Sequence, residues 1–165
     1  SKYQPNGAFD RIVAAEGTTR WLNLDSLLAG AWGLLEPGGT LFLQVSTHAE
    51  IPHLLPQAPM DWLGLHLCKS WHVATLDSLS GGSHGLNLET YWALPGTYMA
   101  RTMAWQLEMF ERRQSGVDEQ IRKAFGPEAP AWRNRWRTML IALQEMHLVA
   151  DGAEWGHHQI LFSRS

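Results

Sequence analysis

The sequence predicts a mixed α/β domain, and the prediction rests on two patterns. Residues 9–16 (FDRIVAAE) are an apolar run that ends at a carboxylate, and an amphipathic segment at 22–35 separates them from a second apolar run at 40–43. This order predicts a strand, a helix and a second strand parallel to the first, joined by a right-handed crossover. Residues 86–94 (LNLETYWAL) and 159–162 (QILF) have the composition of two further strands.

Three stretches follow one another along the chain, and we expect them to form one domain. Residues 1–48 hold the strand–helix–strand unit, with a Pro-Gly-Gly turn before its second strand. Residues 49–97 are expected to be irregular up to the strand at 86–94, because four prolines and a glycine-rich segment interrupt them. Residues 98–165 are expected to be a helical cover followed by the closing strand.

Apolar spacing supports the helical cover. Apolar residues recur at intervals of four, four and three between positions 99 and 110, which predicts a helix with one buried face. A second helix is expected after Gly126 and Pro127, with Trp132, Trp136 and the leucines that follow on one face. Gly152 is expected to follow its end.

The composition disfavours several classes of function. The 165 residues are 45% hydrophobic and 18% charged, as is ordinary for a globular domain. A net charge of −3 argues against nucleic acid or an anionic membrane as the main partner. Because the chain has a single cysteine, Cys68, no internal disulfide can form and a reducing cytoplasm is expected. No apolar run reaches the length of about 18 residues that indicates a membrane span, and no secretory leader is expected.

Two other constellations point to common functions and are set aside, and one common motif is missing. His157 and His158 beside Glu154 could suggest a metal site, but adjacent strand residues face opposite sides, so no metal site is expected. Arginines interleaved with tryptophans at 132–137 could suggest nucleic-acid binding, but positions two apart on a helix diverge and form no basic stripe. No Gly-x-Gly-x-x-Gly turn lies between a strand and a helix, so the usual nucleotide-gripping loop is absent from this sequence.

Several phrases, in order along the chain, resemble those of one enzyme family. They are residues 9–16, the turn and strand at 35–41 (LEPGGTL), 88–105 (LETYWALPGTYMARTMAW), 131–142 (AWRNRWRTMLIA) and 152–162 (GAEWGHHQILF). Together they resemble the cyclopropane-fatty-acid-synthase-like, S-adenosylmethionine-dependent methyltransferases, and the last two resemble their coclaurine N-methyltransferase branch. The resemblance covers the chain from about residue 9 to its end and is weakest at 49–85.

The resemblance implies a fold, a reaction and a set of site residues. The fold would be the C-terminal part of a Rossmann-like methyltransferase, with parallel strands, an antiparallel pair and a helical cover. The acceptor would be a small-molecule amine or a lipid-like compound. The cofactor, S-adenosylmethionine, would be shared with a partner chain that supplies the N-terminal half. The implied residues are Glu16 as the catalytic group, Ala15 and Glu16 at the cofactor, and Gln44, His48, Tyr98, Trp136 and Met139 at the substrate.

Departures from the family's phrases affect its acid–base groups. Where the family has a second glutamate and a histidine after the first strand, this chain has Thr19 and Arg20, and only Glu16 matches. A carboxylate–imidazole pair can hold an amine and accept its proton, whereas arginine stays charged. Gln44 likewise replaces a histidine, although His48 matches a second histidine of the N-methyltransferase branch.

Three further positions leave alternatives open. Met99 stands where the family has tyrosine, with Tyr98 one step earlier. Glu16 could cap the next turn instead of facing a ligand, although ligands of open α/β sheets bind outside the carboxyl ends of the strands. Trp136 could line a substrate pocket or simply be part of the core.

These observations support three hypotheses of function. The first is the acceptor side of a methyltransferase completed by a partner chain. The second is a non-catalytic methyltransferase-like subunit that stabilises or regulates a competent partner, and the third is a free-standing module that binds an aromatic or apolar ligand. Because the strand at 9–15 would be a bare apolar edge, we expect a second polypeptide, or a second copy, to pair with it through an interface of about 2,000 Å² or more.

Overall fold

The computed structural model describes residues 7–15, 24–55, 62, 71–81 and 84–165. Glu16, Thr19, Arg20 and Cys68 lie outside the described residues. No helix in the described ranges is long and apolar enough to cross a membrane. The elements are β1 (Phe9–Ala15), α1 (Leu24–Leu34), β2 (Leu35–His48), β3 (His53–Leu55), β4 (Trp71–Val73), α2 (Leu76–Gly81), β5 (Leu86–Leu94), α3 (Gly96–Arg112), α4 (Gln114–Phe125), α5 (Ala129–Met146) and β6 (Trp155–Arg164).

The main sheet has four strands in the order β1-β2-β6-β5. β1 and β2 are parallel, with Ile12 opposite Leu41 and Ala15 opposite Gln44. β6 is antiparallel to both β2 and β5. The predicted fold class, a parallel pair with antiparallel strands and a helical cover, is therefore confirmed. Among the described strands, β1 pairs with β2 only and so forms an edge of the sheet.

The core lies on one face of this sheet. Leu41, Leu43 and Val45 alternate along β2 and are buried, as the period of two in a strand requires. Leu28 of α1 and Phe162 of β6 are fully buried against them. Gln44 and His48 alternate with these residues and therefore lie on the opposite face, the one toward the helical cover.

The Pro-Gly-Gly segment does not precede the second strand as predicted but lies within it. Phe9 pairs with Leu35, whereas Arg11 already pairs with Thr40, so the extra residues of β2 form a bulge. Gly38 provides the left-handed backbone of this bulge, with φ of +78°. Pairing of Leu35 with β1 keeps these residues in the sheet.

The helical cover contains three helices, one more than the spacing predicts. The additional helix, α4, follows α3 with only Arg113 between them. Arg133 of α5 donates to Asp118 of α4 at 2.7 Å and to Glu111 of α3 at 3.2 Å, which joins all three helices. Both carboxylates remain near solvent, so these ion pairs fix geometry more than they add stability.

The stretch expected to be irregular contains ordered elements as well. β3 and β4 form a small antiparallel pair. Ala74 forms an isolated bridge to Thr47, and α2 follows immediately. Thr75 and Ser78 close the start of α2 reciprocally, because Ser78 N–H donates to Thr75 Oγ1 at 3.1 Å and Thr75 N–H donates to Ser78 Oγ at 3.0 Å.

Candidate functional site

The candidate site lies at the edge of the sheet where the parallel strands have their carboxyl ends. Ala15 ends β1 opposite Gln44, and β2 continues to His48, which lies opposite Trp155 at the start of β6. β5 runs parallel to β2 and ends at Leu94 on the same edge. Open α/β sheets bind their ligands outside this edge. Three of the predicted site residues lie there, namely Ala15, Gln44 and His48.

His48 is held in one orientation by both of its ring nitrogens. Nδ1 accepts the backbone N–H groups of Glu50 and Ile51, each at 3.2 Å. Because Nδ1 is an acceptor, the ring proton belongs on Nε2, which lies 3.2 Å from Oε1 of Glu154 and donates to it. The ring of Trp155 packs edge-on against the imidazole, with 4.9 Å between centroids and an interplanar angle of 87°.

A cavity of about 440 Å³ opens beside this imidazole–carboxylate pair. The side chain of His48 is 12% exposed and that of Glu154 is 39% exposed, so the carboxylate is the more accessible of the two. Asp77 at the start of α2 also lines the cavity. The remaining described lining residues are Thr47, Ala49, Leu76, Ala93, Leu94, Pro95, Gly152, Ala153, Gly156 and His158.

Gly96 and Gly152 bring the walls of this cavity together. A Cβ atom at Gly96 would lie 2.1 Å from the carbonyl oxygen of Trp155 and 2.5 Å from that of His147. A Cβ atom at Gly152, where φ is +82°, would lie 2.7 Å from the backbone nitrogen of Thr97. Only glycine at these two positions allows the start of α3 to approach β6 and the end of α5 this closely.

Gln44 is engaged within the sheet. Gln159 Nε2 donates to Gln44 Oε1 at 3.2 Å across the β2–β6 pair. Nearer β1 the same face is open in the described part of the chain, with Val13 70% exposed. A second cavity, of about 510 Å³, lies there against Arg11, Val13 and Phe42.

The other predicted site residues lie on the helical cover. Tyr98 is in the first turn of α3 and 57% exposed, close to the carboxyl edge because α3 begins two residues after β5 ends. Trp136 is 38% exposed and Met139 is partly buried, and both lie on α5. With a rise of about 1.5 Å per residue, they lie about 16 and 12 Å along the helix from His147, which reaches the edge.

Burial lowers the pKa values of two histidines, one behind the cavity (His147) and one in its wall (His158). His147 is 3% exposed, and its burial lowers the pKa, although a hydrogen bond from Nδ1 to the Leu143 carbonyl acts in the opposite direction. Burial likewise lowers the pKa of His158, whose Nδ1 is hydrogen-bonded to Thr47 Oγ1 at 2.8 Å. Both imidazoles are therefore more readily neutral than a free histidine.

The two adjacent histidines of β6 point in different directions, as expected for neighbours on a strand. His157 stacks on His147 with 5.9 Å between ring centroids, while His158 contacts Thr47 and the ring of Tyr91. Across the described ranges, no three histidine, cysteine or acidic residues are grouped so that they could hold a metal ion.

Sequence reasoning missed the contact of Glu154 with His48 and the close approach at Gly96. Local sequence presents Glu154 only as a possible metal ligand, and the 106 positions that separate it from His48 hide their hydrogen bond. The available signal was the phrase GAEWG at 152–156, which places an acidic residue directly before a strand that begins at the carboxyl edge.

The fold and the edge on which the site lies define the class of this chain: it has the fold of the C-terminal portion of a Rossmann-like methyltransferase. It superimposes on coclaurine N-methyltransferase bound to N-methylheliamine and SAH with a TM-score of 0.87 and 20% identity, covering 99% of this chain and 50% of that one. It matches the cyclopropane synthase MmaA2 from Mycobacterium tuberculosis with a TM-score of 0.79 and 17% identity, covering 96% and 56%. The resemblance found in the sequence is therefore confirmed at the level of the fold.

A third structure shows that this fold is not restricted to methyl transfer. The [4+2]-cyclase SpnF matches with a TM-score of 0.65 and 14% identity, covering 99% of this chain and 53% of that one. The chain thus spans about half the length of the solved structures it matches. No family model matches the chain, and no curated protein matches it by sequence.

Proposed function

We propose that this chain is the acceptor side of an S-adenosylmethionine-dependent methyltransferase and works with an N-terminal, cofactor-binding half supplied by a partner chain. The observation that carries the proposal is the match over 99% of this chain to half of coclaurine N-methyltransferase, a structure with SAH bound. The acceptor is a small-molecule amine or a lipid-like compound, as the two kinds of neighbour suggest. Ala15 and Glu16 face the cofactor in this proposal, with Glu16 as the catalytic group.

The open edge of the sheet supports the need for another half. Val13 and Phe9 on β1 are 70% and 37% exposed, and β1 has a described neighbour on one side only. An apolar strand with unpaired backbone groups favours pairing with a further strand. A partner half that continues the sheet beyond β1 would cover these side chains and bring the cofactor to the carboxyl end of β1.

The described substrate residues are proposed to wall the acceptor. Gln44 and His48 lie along the carboxyl ends of the strands, and Tyr98 lies beside them. Trp136 and Met139 would line the far part of the pocket for an extended acceptor. Since methyl transfer depends strongly on the alignment of the acceptor with the sulfonium methyl group, such positioning can contribute more than an acid–base pair.

A second candidate function is a non-catalytic subunit that stabilises or regulates a competent methyltransferase. The observation that favours it is the hydrogen bond between Gln159 and Gln44. The position that carries a histidine in the resembled family is here occupied by a side chain already bonded within the sheet. Thr19 and Arg20 add to the same argument from the sequence.

The test is reconstitution of this chain with the polypeptide that supplies the N-terminal half. We expect no micromolar binding of S-adenosylmethionine to this chain by calorimetry, but binding and transfer of a radioactive methyl group by the complex. Complex formation without turnover would favour the regulatory subunit. Micromolar cofactor binding by this chain without a partner, or no complex, would overturn the proposal.

Variants of the exposed strand β1 make the test specific for the proposed interface. Val13→Lys would place a charge in the expected interface, and burial of a valine side chain contributes about 1.5 kcal/mol or more, so affinity should fall more than tenfold. Val149→Lys is the matched control, because Val149 is also exposed, at 43%, but lies beside the end of α5. Equal affinities of the two variants would place the interface elsewhere.

A further inference from the structure

We infer that the cavity beside His48 and Glu154 is a subsite for the cationic nitrogen of an organic amine, with Glu154 as the contacting group and His48 as its positioning residue. The inference rests on the proposed function, because it concerns the acceptor side of the same edge. It assigns a role to Glu154, and it gives the chain a carboxylate–imidazole pair at a place other than the Thr19–Arg20 segment.

The carboxylate is fixed and yet retains capacity for a ligand. His48 uses Nδ1 to accept two backbone N–H groups, so its ring cannot turn without losing them. The Nε2–H group is therefore held in the direction of Oε1 of Glu154. An ionised carboxylate has about four lone-pair sites, and this bond occupies one of them, so Glu154 can accept further donors at its exposed surface.

The charge of the cavity favours a cation. Glu154 and Asp77 both line it, and no lysine or arginine is among its described lining residues. A positively charged donor that enters the cavity would therefore meet two carboxylates and no described lysine or arginine, which favours an ammonium group over a carboxylate or phosphate.

The shape and walls favour an organic cation over an inorganic ion. The volume of about 440 Å³ is within the range of about 300 to 1,000 Å³ found for small-molecule sites. Leu76, Leu94 and Pro95 supply apolar wall that a carbon skeleton can cover. Both ring nitrogens of His48 are already hydrogen-bonded, so they are not free to ligate a metal.

The position of the subsite suggests anchoring instead of proton transfer. His48 lies four residues beyond Gln44, which pairs with the last residue of β1, and four strand residues span about 13 Å. A group bound at Glu154 is therefore remote from the carboxyl end of β1, where the proposed cofactor would lie. Glu154 would hold one end of the acceptor and so determine which acceptors bind.

The experiment is a calorimetric titration of the chain, in its complex where one is required, with benzylamine at pH 7.5 and without cofactor. A charge-assisted hydrogen bond contributes about 1.5 to 3 kcal/mol, so Glu154→Gln should weaken benzylamine binding at least tenfold. Benzyl alcohol, which has a similar shape and no charge, should bind the wild type and Glu154→Gln equally weakly. Glu145→Gln is the matched control, because Glu145 is an exposed glutamate in the last turn of α5, and it should leave binding unchanged.

Two comparisons separate a loss of binding from a loss of folding, and the subsite from the proposed enzyme function. The amide of Glu154→Gln can still accept the Nε2–H of His48, so the fold should be retained, and an unchanged melting temperature verifies this. Benzylamine binding that is absent in the wild type, unaffected by Glu154→Gln, or matched by benzyl alcohol would overturn the inference. Because no cofactor is present, benzylamine binding through Glu154 in a chain that transfers no methyl group would support the subsite while the proposed enzyme function fails.

Discussion

Replacing Gly96 by alanine tests whether the close approach at the carboxyl edge holds the fold together. The new Cβ atom would lie 2.1 Å from the carbonyl oxygen of Trp155, whereas non-bonded heavy atoms make optimal contact at about 3.5 Å or more. The overlap is therefore about 1.4 Å against one carbonyl group and about 1 Å against that of His147. Both obstructing atoms belong to the main chain, so no side-chain rotation can relieve them.

The structure sets the size of the expected effect. Overpacking a well-packed position costs about 1 to 3 kcal/mol, and the upper end applies here because α3, β6 and the end of α5 must all separate. For a chain of this length, about 3 kcal/mol lowers the melting temperature by about 6 to 12 °C. With a denaturant slope of about 2 kcal/mol per molar, the urea midpoint should fall by about 1.5 M.

Urea unfolding followed by circular dichroism measures this, with Gly116→Ala as the matched control. Gly116 lies in α4, and a Cβ atom placed on it would meet no atom within 4 Å beyond its chain neighbours and the backbone of its own helix. Alanine there should therefore raise the free energy of unfolding by about 0.5 to 1 kcal/mol. A Gly96→Ala variant as stable as the wild type would refute the close approach and, with it, the geometry of the cavity walls.

Two further predictions concern histidine burial and the core. Because the folded-state pKa values of His147 and His158 are lowered, the folded state binds fewer protons than the unfolded state near their usual pKa of about 6.5. The contribution of these two histidines to the free energy of unfolding should therefore be fully present above that pH and should be lost as the pH drops through it. Urea midpoints between pH 7.5 and 5.5 measure this loss. An equally steep loss in the double variant His147→Gln/His158→Gln would refute the assignment. Phe162→Ala should lower the free energy of unfolding by about 3 to 5 kcal/mol, because Phe162 is fully buried. Phe162→Leu should lower it by clearly less, because leucine leaves a smaller cavity than alanine. Similar urea midpoints for the two variants would show that the residue does not fill the core as described.

Local patterns predicted most of the strands and helices. The runs at 9–15 and 86–94 are β1 and β5, and the closing strand predicted at 159–162 is the centre of β6. Patterns of this kind are readable because each buried face repeats with the period of its own element. α4 was missed although Val117, Ile121 and Phe125 recur at intervals of four, because Gly116 and the absence of a break before it obscured a separate helix.

The candidate site was less predictable because its contacts join distant parts of the chain. Ala15, Gln44 and His48 could be placed at one edge, since the parallel pairing of β1 and β2 follows from the crossover. The hydrogen bond from His48 to Glu154 could not be predicted, because it depends on β6 entering the sheet next to β2. The bulge around Gly38 was also unpredictable, because a Pro-Gly-Gly segment fits a turn equally well.

The position of β6 has a consequence for how the chain acquires its sheet during synthesis. Among the described strands, β2 and β5 are joined only through β6, which is the last of these elements to leave the ribosome. Until residues 155–164 emerge, two strands that will become second neighbours remain without their common partner, and contacts such as Thr40 with Ser163 wait for more than a hundred intervening residues. Such non-local pairing is slow, and the exposed strands meanwhile present apolar edges to other chains. Loss of β6 would therefore divide the sheet in the middle, whereas loss of β1 would only narrow it.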